Sequence, residues 1–237
     1  MQRKKNYLQR LLAIYIAFFV VLIFGFIFQV APNFTRGVAN GMEIGEEMNE
    51  AYAEHTPRAI YYLWNIPIVQ SKPIAIENND TQVAIEGHLS TLTLEVNEPL
   101  TQTRSVSEIA FSAIGNSPWI YAMMIGSALC FPILVVLMFF IIRSVRSAIR
   151  EEQPLAKNNA WLLRAIALLT ILSELLGQTA SWLMNTRAAH LLEGSGYSVD
   201  TTFQFNYGIL LMGVLLLFSA EIFVIGRDLG EEQKLTI

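Results

Sequence analysis

The stretch WIYAMMIGSALCFPILVVLMFFII, residues 119–142, contains no charged side chain. Three other blocks share this character: residues 11–30 carry no charge, residues 161–184 carry only Arg164 and Glu174, and residues 207–226 carry only Glu221. As a helix, each block is long enough to cross a hydrocarbon core of about 30 Å. Hydrophobic residues make up 53% of the chain and charged residues 15%, which is too apolar for an ordinary soluble domain. The sequence therefore predicts four transmembrane helices.

The basic residues predict the orientation of these helices. Most of the 16 Lys and Arg residues fall in the N-terminus, in the connection after the second span, and in the C-terminal tail. The positive-inside rule places that side in the cytoplasm, so both termini are predicted there. The predicted segments are an N-terminus with a signal-anchor helix at 1–31, an extracytoplasmic domain at 32–117, a second helix at 118–142, a cytoplasmic loop at 143–160, a third helix at 161–184, an extracytoplasmic loop at 185–206, a fourth helix at 207–226 and a cytoplasmic tail at 227–237.

The segment 32–117 is the sizeable polar part of the chain. RGVANGMEIGEEMNEAYAEH, residues 36–55, has a helical pattern with acidic residues on one side. Residues 91–96 alternate polar and apolar side chains, which is typical of a strand, and we expect a strand pair between Ile66 and Val96. The predicted fold class is thus a membrane α-helical protein with four transmembrane helices and a small α+β extracytoplasmic domain between the first and second.

Glu174 is an ionisable residue near the middle of the third predicted span, with Gln178 one helical turn away. An unpaired charge at that depth costs about 3 kcal/mol on insertion scales, so such residues are functional hypotheses by default. A proton relay or ligand contact is one interpretation. An interhelical hydrogen bond that holds the bundle together is the other, and we favour it because a lone deep acid makes a poor conduction path.

Arg164 and Glu221 lie at similar depths, each near the cytoplasmic end of its predicted helix. Pairing across neighbouring helices would remove the cost of burying either charge alone. The sequence therefore predicts an Arg164–Glu221 ion pair that sets the relation between the third and fourth helices.

Chemistry-bearing motifs are missing from the sequence. It contains no nucleophile–base pair, Walker loop, dinucleotide fingerprint or metal-ligand spacing such as HExxH. We therefore expect a protein that is not an enzyme, with no metal site and no cofactor. The net charge of −4 derives mostly from the acidic outer segment, and we expect no direct binding of nucleic acid.

The two stretches EEQPLAKNNAWLLRAIALL, residues 151–169, and EIFVIGRDLGEEQKLTI, residues 221–237, resemble the bacterial integral-membrane family of unknown function numbered 2975. One departure is Leu155, where an aromatic residue is usual in the family. Asn159 offers a second register for the motif asparagine. The positions that match the family pattern are Pro154, Leu155, Asn158, Leu163, Arg164, Phe223, Gly226, Leu229, Glu231, Glu232, Leu235 and Thr236.

The resemblance implies a multi-pass protein of the bacterial cytoplasmic (inner) membrane without an established activity. Members are often encoded beside small helix-turn-helix regulators, which implies a membrane sensor or regulatory partner of such a cytoplasmic protein. Residues 154–164 and 226–237, here called the cytoplasmic edge, would then dock the regulator, or else merely cap and pack the helices. The alternative function is a small transporter or channel component that uses Glu174 and Gln178. The sequence leaves the oligomeric state open.

Overall fold

The structure, a computed structural model, describes residues 2–54, 58–70, 74–76, 85–100, 114–151 and 158–235. The helices are α1 (Gln2–Gly25), α2 (Ala31–Ala53), α3 (Pro118–Glu151), α4 (Asn158–Leu191) and α5 (Tyr207–Leu235). The strands are β1 (Arg58–Gln70), β2 (Ile74–Ile76), β3 (Ile85–Gly87), β4 (Thr91–Pro99) and β5 (Ser198–Val199). Four of the helical runs are long and apolar enough to cross a membrane.

The first helical run does not stop at the end of its apolar block. A π-helical turn, Phe26–Val30, joins α1 directly to α2, and the Ala31 N–H bonds to the Phe26 carbonyl. Pro32 follows this turn, and a proline ring clashes with the carbonyl four residues earlier in a regular α-helix. The wider π turn relieves that clash, so the helix continues through the proline. The helical pattern predicted at 36–55 is confirmed by α2 as far as Ala53, and His55 lies outside the described residues.

The exterior of the apolar helices consists of large apolar side chains. Val21, Phe28 and Phe218 are 70%, 71% and 63% exposed, and exposed leucines, isoleucines and phenylalanines continue along α1, α3, α4 and α5. A soluble monomer rarely exposes contiguous apolar surface of this extent. These surfaces match the hydrocarbon core of a bilayer, and the four helices indicate a multi-pass membrane protein.

The helices extend beyond the apolar blocks that predict them. α3 runs to Glu151, α4 runs to Leu191, and α5 runs to Leu235. Helix hydrogen bonds do not require apolar side chains, and Arg, Glu and Lys are good helix formers. Parts of the segments predicted as loops and tail are therefore helical, which leaves shorter connections than the apolar pattern indicated.

The chain divides into two compact units, and α3 and α4 contribute to both. The first comprises residues 1–41, 127–174 and 206–237, and is built from helices. The second comprises residues 42–126 and 175–205, and contains the sheets. The second unit therefore includes residues from the α4–α5 connection as well as those between the first two apolar blocks.

The second unit contains a three-stranded sheet with strand order β4-β1-β5. Its main pairing is antiparallel, with Arg58 opposite Pro99 and Pro67 opposite Thr91, and a shift in register between Leu63 and Ile66. β4 alternates exposed and half-buried residues, as its sequence pattern predicts. β2 and β3 form a separate antiparallel pair. β5 was not predicted; it pairs with Ile68 and Gln70 of β1.

The core of the second unit lies between β1 and two helices. Tyr61, Leu63 and Ile66 of β1 are at most 1% exposed. They cluster with Ile120 of α3 and with small or flexible residues of α4, namely Ala180, Met184 and Ala188. The small α4 side chains let the strand approach the helix closely, and the sheet is completed by packing on helices.

The connection from α4 to α5 is ordered by Asp200. Its carboxylate accepts hydrogen bonds from the backbone N–H and hydroxyl of Thr202, at 2.9 and 2.6 Å, and from the Gln204 side chain. The Thr202 hydroxyl, then its N–H, lower the pKa of Asp200 below the ordinary 3.8. The ring of Phe203 lies 6.1 Å from that of Trp182 on α4. These contacts hold the connection in a defined path back towards α5.

Candidate functional site

Arg164 and Glu221 form an ion pair between α4 and α5. The Arg164 Nε donates to Glu221 Oε1 at 2.9 Å, and Nη2 lies 2.7 Å from the same oxygen. The two side chains are 40% and 56% exposed, so that about half of each faces the surroundings of the helices. The pairing predicted from the sequence is confirmed. Each charge gives the other the partner that it needs within an apolar block.

Glu174 lies midway along α4, and its carboxylate meets the start of α5. Oε1 accepts a hydrogen bond from the Asn206 N–H at 3.1 Å. Asn206 caps α5, since its Oδ1 accepts from the N–H groups of Gly208 and Ile209 at 3.1 and 3.3 Å. A carboxylate beside a helix N-terminus is also favoured by the helix dipole.

This placement changes the interpretation of Glu174. The acid stands level with the first turn of α5, whereas the sequence placed it near the middle of a span. Glu174 is central in both the predicted block and α4, but α5 begins beside it, because residues 192–206 lie between the end of α4 and Tyr207. The contact is an interhelical hydrogen bond, as expected if Glu174 holds helices together.

A pair of serines joins α3 to α4 beside this acid. The Ser127 hydroxyl donates to the Ser173 carbonyl at 3.0 Å, and the two hydroxyl oxygens are 3.3 Å apart. Within a membrane, bonds of this kind contribute on the order of 1 kcal/mol each. They require close approach of the two backbones, which the small serine side chains permit.

An open cleft of about 460 Å³ lies next to Glu174. Its polar side chains are a carboxylate, two hydroxyls and an amide, and the rest of its lining is apolar. The lining residues are Leu134, Thr170, Ser173, Glu174, Asn206, Gly208, Ile209 and Met212. The Thr170 hydroxyl already donates to the Ile166 carbonyl at 2.9 Å. Gln178 is half-buried in the second unit and does not line this cleft.

The family-motif positions in residues 154–164 and 226–237 are only partly within the described residues. Pro154, Leu155 and Thr236 lie outside them. Asn158 is the first residue of α4. Five further motif positions lie on α5, which continues without a break as far as Leu235: Gly226, Leu229, Glu231, Glu232 and Leu235. The tail is thus an extension of the helix.

Asn159, which follows the motif Asn158, is a buried polar residue. It is 1% exposed, and neither atom of its carboxamide has a hydrogen-bond partner among the residues that the structure describes. Burial of an unsatisfied amide costs about 1–3 kcal/mol. The sequence offered Asn159 as a second register for the motif asparagine, and the structure shows that the side chain at this position is buried.

Arg187 organises the second compact unit (residues 42–126 and 175–205), here called the sheet unit, in a way that sequence reasoning missed. Its Nε and Nη2 donate to the hydroxyl of the buried Tyr61 at 3.2 and 2.9 Å. Nη2 also lies 3.5 Å from a carboxylate oxygen of Glu98, which accepts a hydrogen bond from Asn116. The network ties α4 to β1 and β4. By sequence alone, Arg187 is only a basic residue within the predicted extracytoplasmic loop at 185–206.

Tyr62 lies in acidic surroundings on the same strand. Its hydroxyl donates to Glu95 on β4 at 3.2 Å. Partial burial, then the hydrogen bond and negative charge of Glu95, and then the charges of Glu47 and Glu43, raise the pKa of Tyr62 above its ordinary 10.0. The phenol is therefore neutral at physiological pH and acts as a hydrogen-bond donor.

Metal-binding geometry is not found in the described part of the chain, where no group of three or more His, Cys, Asp or Glu side chains could hold an ion. Cys130 is buried within α3 and is a free thiol. The polar groups described above are thus hydrogen-bonding and ion-pairing groups that join helices to one another, α4 to the sheet, and β1 to β4.

Comparison with known proteins gives one match. The model of a family described as protein of unknown function, DUF2975, matches residues 44–237. The match confirms the resemblance seen in residues 151–169 and 221–237, and it takes in the sheet unit as well as the last three long helices. No curated protein and no solved structure matches the chain.

Proposed function

We propose a signalling role at the bacterial inner membrane for this chain, which belongs to the DUF2975 family of proteins of unknown function. In this proposal the cytoplasmic edge binds a helix-turn-helix regulator and responds to the state of the sheet unit. The observation that supports it best is the helical tail. α5 continues about nine residues past Gly226, roughly 14 Å of additional helix that carries both acidic and basic residues. A charged helix that projects from a span offers a surface to a soluble partner.

α4 supports a route for the signal. It is 34 residues long and contains no proline. Ala180, Met184 and Ala188 of this helix pack in the core of the sheet unit, and Arg164 of the same helix pairs with Glu221. A ligand that repacks the sheet core would therefore act on the helix that carries the ion pair. The Arg164–Glu221 contact is the point at which that movement would reach α5.

The proposed orientation places both termini in the cytoplasm and the sheet unit outside, as the distribution of basic residues predicts. Cysteine labelling tests it with two exposed positions, Asn97→Cys on β4 and Arg150→Cys near the end of α3, in a background in which the buried Cys130 is replaced by Ala. We expect an impermeant thiol reagent added to intact cells to label only the cysteine at 97. Labelling of only the cysteine at 150 would reverse the orientation.

Partner binding is tested by co-purification of the full-length protein with a helix-turn-helix regulator identified from the neighbourhood of its gene. Reversal of two tail charges, Glu231→Lys with Glu232→Lys, is expected to lower recovery of the regulator at least tenfold. Glu193→Lys, which reverses a charge just after α4, is the matched control and should leave recovery unchanged. Equal recovery with all three proteins would contradict docking on the helical tail.

A second candidate function is transport, because the cleft of about 460 Å³ beside Glu174 offers a carboxylate and hydroxyls to a small cation or amine. Proteoliposomes with a pH or sodium gradient distinguish the two functions. Signalling predicts flux no greater than in empty vesicles. Flux that is lost in Glu174→Gln, but is retained in a folded Thr170→Val variant, would support transport instead.

A further inference from the structure

A second cleft, of about 250 Å³, lies between α1 and the distal part of α3. Four of its lining side chains are apolar or aromatic and two are arginines. The lining residues are Leu12, Tyr15, Phe139, Ile142, Arg143 and Arg146. None of them takes part in the ion pairs or the polar cleft described above.

The cleft lies where both helices change from polar to apolar sequence. In α1, Arg10 precedes the uncharged block 11–30, and Leu12 lies at the start of that block. In α3, Arg143 immediately follows the uncharged block 119–142. The uncharged blocks of α1 and α3 thus end at the same level, and the cleft lies at that level. A lipid headgroup occupies this depth of a bilayer.

Arg143 and Arg146 provide two positive charges on one face of α3. Residues three apart in a helix are neighbours, so both guanidinium groups can reach one anion. Both residues are exposed. Within the described ranges, no carboxylate forms an ion pair with either of them. Guanidinium groups bind phosphate oxygens through paired N–H donors, which suits them to a phosphate ligand.

We propose that this cleft binds the headgroup phosphate of an anionic phospholipid. Arg143 and Arg146 contact the phosphate, and the apolar wall formed by Leu12, Tyr15 and Phe139 contacts the start of an acyl chain. The volume is that of roughly eight water molecules at about 30 Å³ each, which suits a headgroup phosphate and excludes a whole lipid. The rest of each chain lies along the apolar helix surfaces outside the cleft.

The apolar wall selects a lipid over a free phosphate ion. Inorganic phosphate gains nothing from leucine and phenylalanine side chains and loses hydration beside them. A phospholipid matches both parts of the cleft, since its acyl chain contacts the wall while its phosphate meets the arginines. Basic clefts between transmembrane helices bind anionic headgroups on this physical basis. The bound lipid would hold α1 against α3 at the membrane surface.

Native mass spectrometry of the full-length protein in detergent tests the proposal, with phosphatidylglycerol and phosphatidylcholine as probes. We expect retention of phosphatidylglycerol at concentrations where phosphatidylcholine is lost. Arg143→Gln and Arg146→Gln should each weaken phosphatidylglycerol binding about fivefold, and the double variant about 30-fold, because each arginine near an anionic lipid contributes about that factor. Arg150→Gln, which removes a charge from the same helix outside the cleft, should change binding less than twofold.

Two further measurements, on a wall variant and on competition by inorganic phosphate, distinguish the possible causes of lipid binding. Leu12→Asn keeps every charge but makes the wall polar, and it should weaken phosphatidylglycerol binding severalfold. Inorganic phosphate at millimolar concentration should not displace the lipid. The proposal is overturned if Arg150→Gln weakens binding as much as Arg143→Gln, because that indicates diffuse attraction to a basic surface. Displacement by inorganic phosphate, or full binding by Leu12→Asn, would overturn the assignment to a lipid.

Discussion

Removing either partner of the Arg164–Glu221 ion pair alone should cost about as much stability as removing both partners together. Two guanidinium nitrogens lie 2.7 and 2.9 Å from one carboxylate oxygen. Fully exposed pairs contribute about 0.2–1 kcal/mol, whereas loss of one partner from a fully buried pair costs about 3–5 kcal/mol. These side chains are about half exposed, so we expect an intermediate value of about 2 kcal/mol for each single variant. That loss raises the unfolding constant about 30-fold.

The assay is reversible unfolding of Arg164→Leu, Glu221→Leu and the double variant in mixed detergent micelles. The double variant should lose about 2 kcal/mol in total, since no unpaired charge remains, which gives a coupling energy of about 2 kcal/mol. Arg36→Leu serves as the control, because Arg36 lies on α2 and no bond to Glu221 is found in the described residues. Its effect should add to that of Glu221→Leu within about 0.5 kcal/mol. Simple additivity for Arg164 and Glu221 would refute the coupling.

Two further predictions concern the contact between α4 and α5. Gly213→Ala should lower the free energy of unfolding by about 1–3 kcal/mol, because its new Cβ would lie 2.5 Å from Ile171 Cγ1. Gly226→Ala on the same helix meets nothing within 4 Å and should raise the stability by up to about 1 kcal/mol, because alanine favours a helix over glycine, so equal losses in the two unfolding curves would count against close packing at Gly213. Glu174→Gln should retain stability within about 0.5 kcal/mol, because its amide oxygen can still accept the Asn206 N–H, whereas Glu174→Leu should lose about 1 kcal/mol. A well-folded Glu174→Gln protein that loses all function in cells would show that the charge itself is used.

The parts of the fold that follow from local composition were predictable. Long uncharged blocks predict long apolar helices, and alternation from Thr91 to Val96 predicts a strand. The Arg164–Glu221 pair was predictable because two opposite charges in apolar blocks, at equal distance from the same membrane side, stabilise each other. Helix ends were not predictable in this way, since a helix continues into charged sequence when its backbone hydrogen bonds continue.

Non-local contacts account for the rest. β5 is two residues long, and its strand conformation depends on β1, which is distant in sequence. The bonds from Arg187 to Tyr61 likewise join residues from separate segments, and no periodicity relates them. The partner of Glu174 is a backbone N–H, and a backbone group leaves no signature in the residue types. The site was therefore predicted where side chains complement each other and missed where the backbone or a distant segment supplies the partner.

The pairing of β1 with β5 has a consequence for biosynthesis. Ile68 and Val199 face each other in the finished sheet, but roughly 130 residues separate them along the chain. At 5–20 residues per second, the ribosome needs roughly 7–26 s to add that length. During this interval Tyr61, Leu63 and Ile66 have no α4 to pack against, because Ala180 and Met184 have not yet been made. The nascent strand must therefore be shielded from aggregation until the third long apolar helix has been inserted, and a stall in translation between β4 and α4 would prolong that exposure.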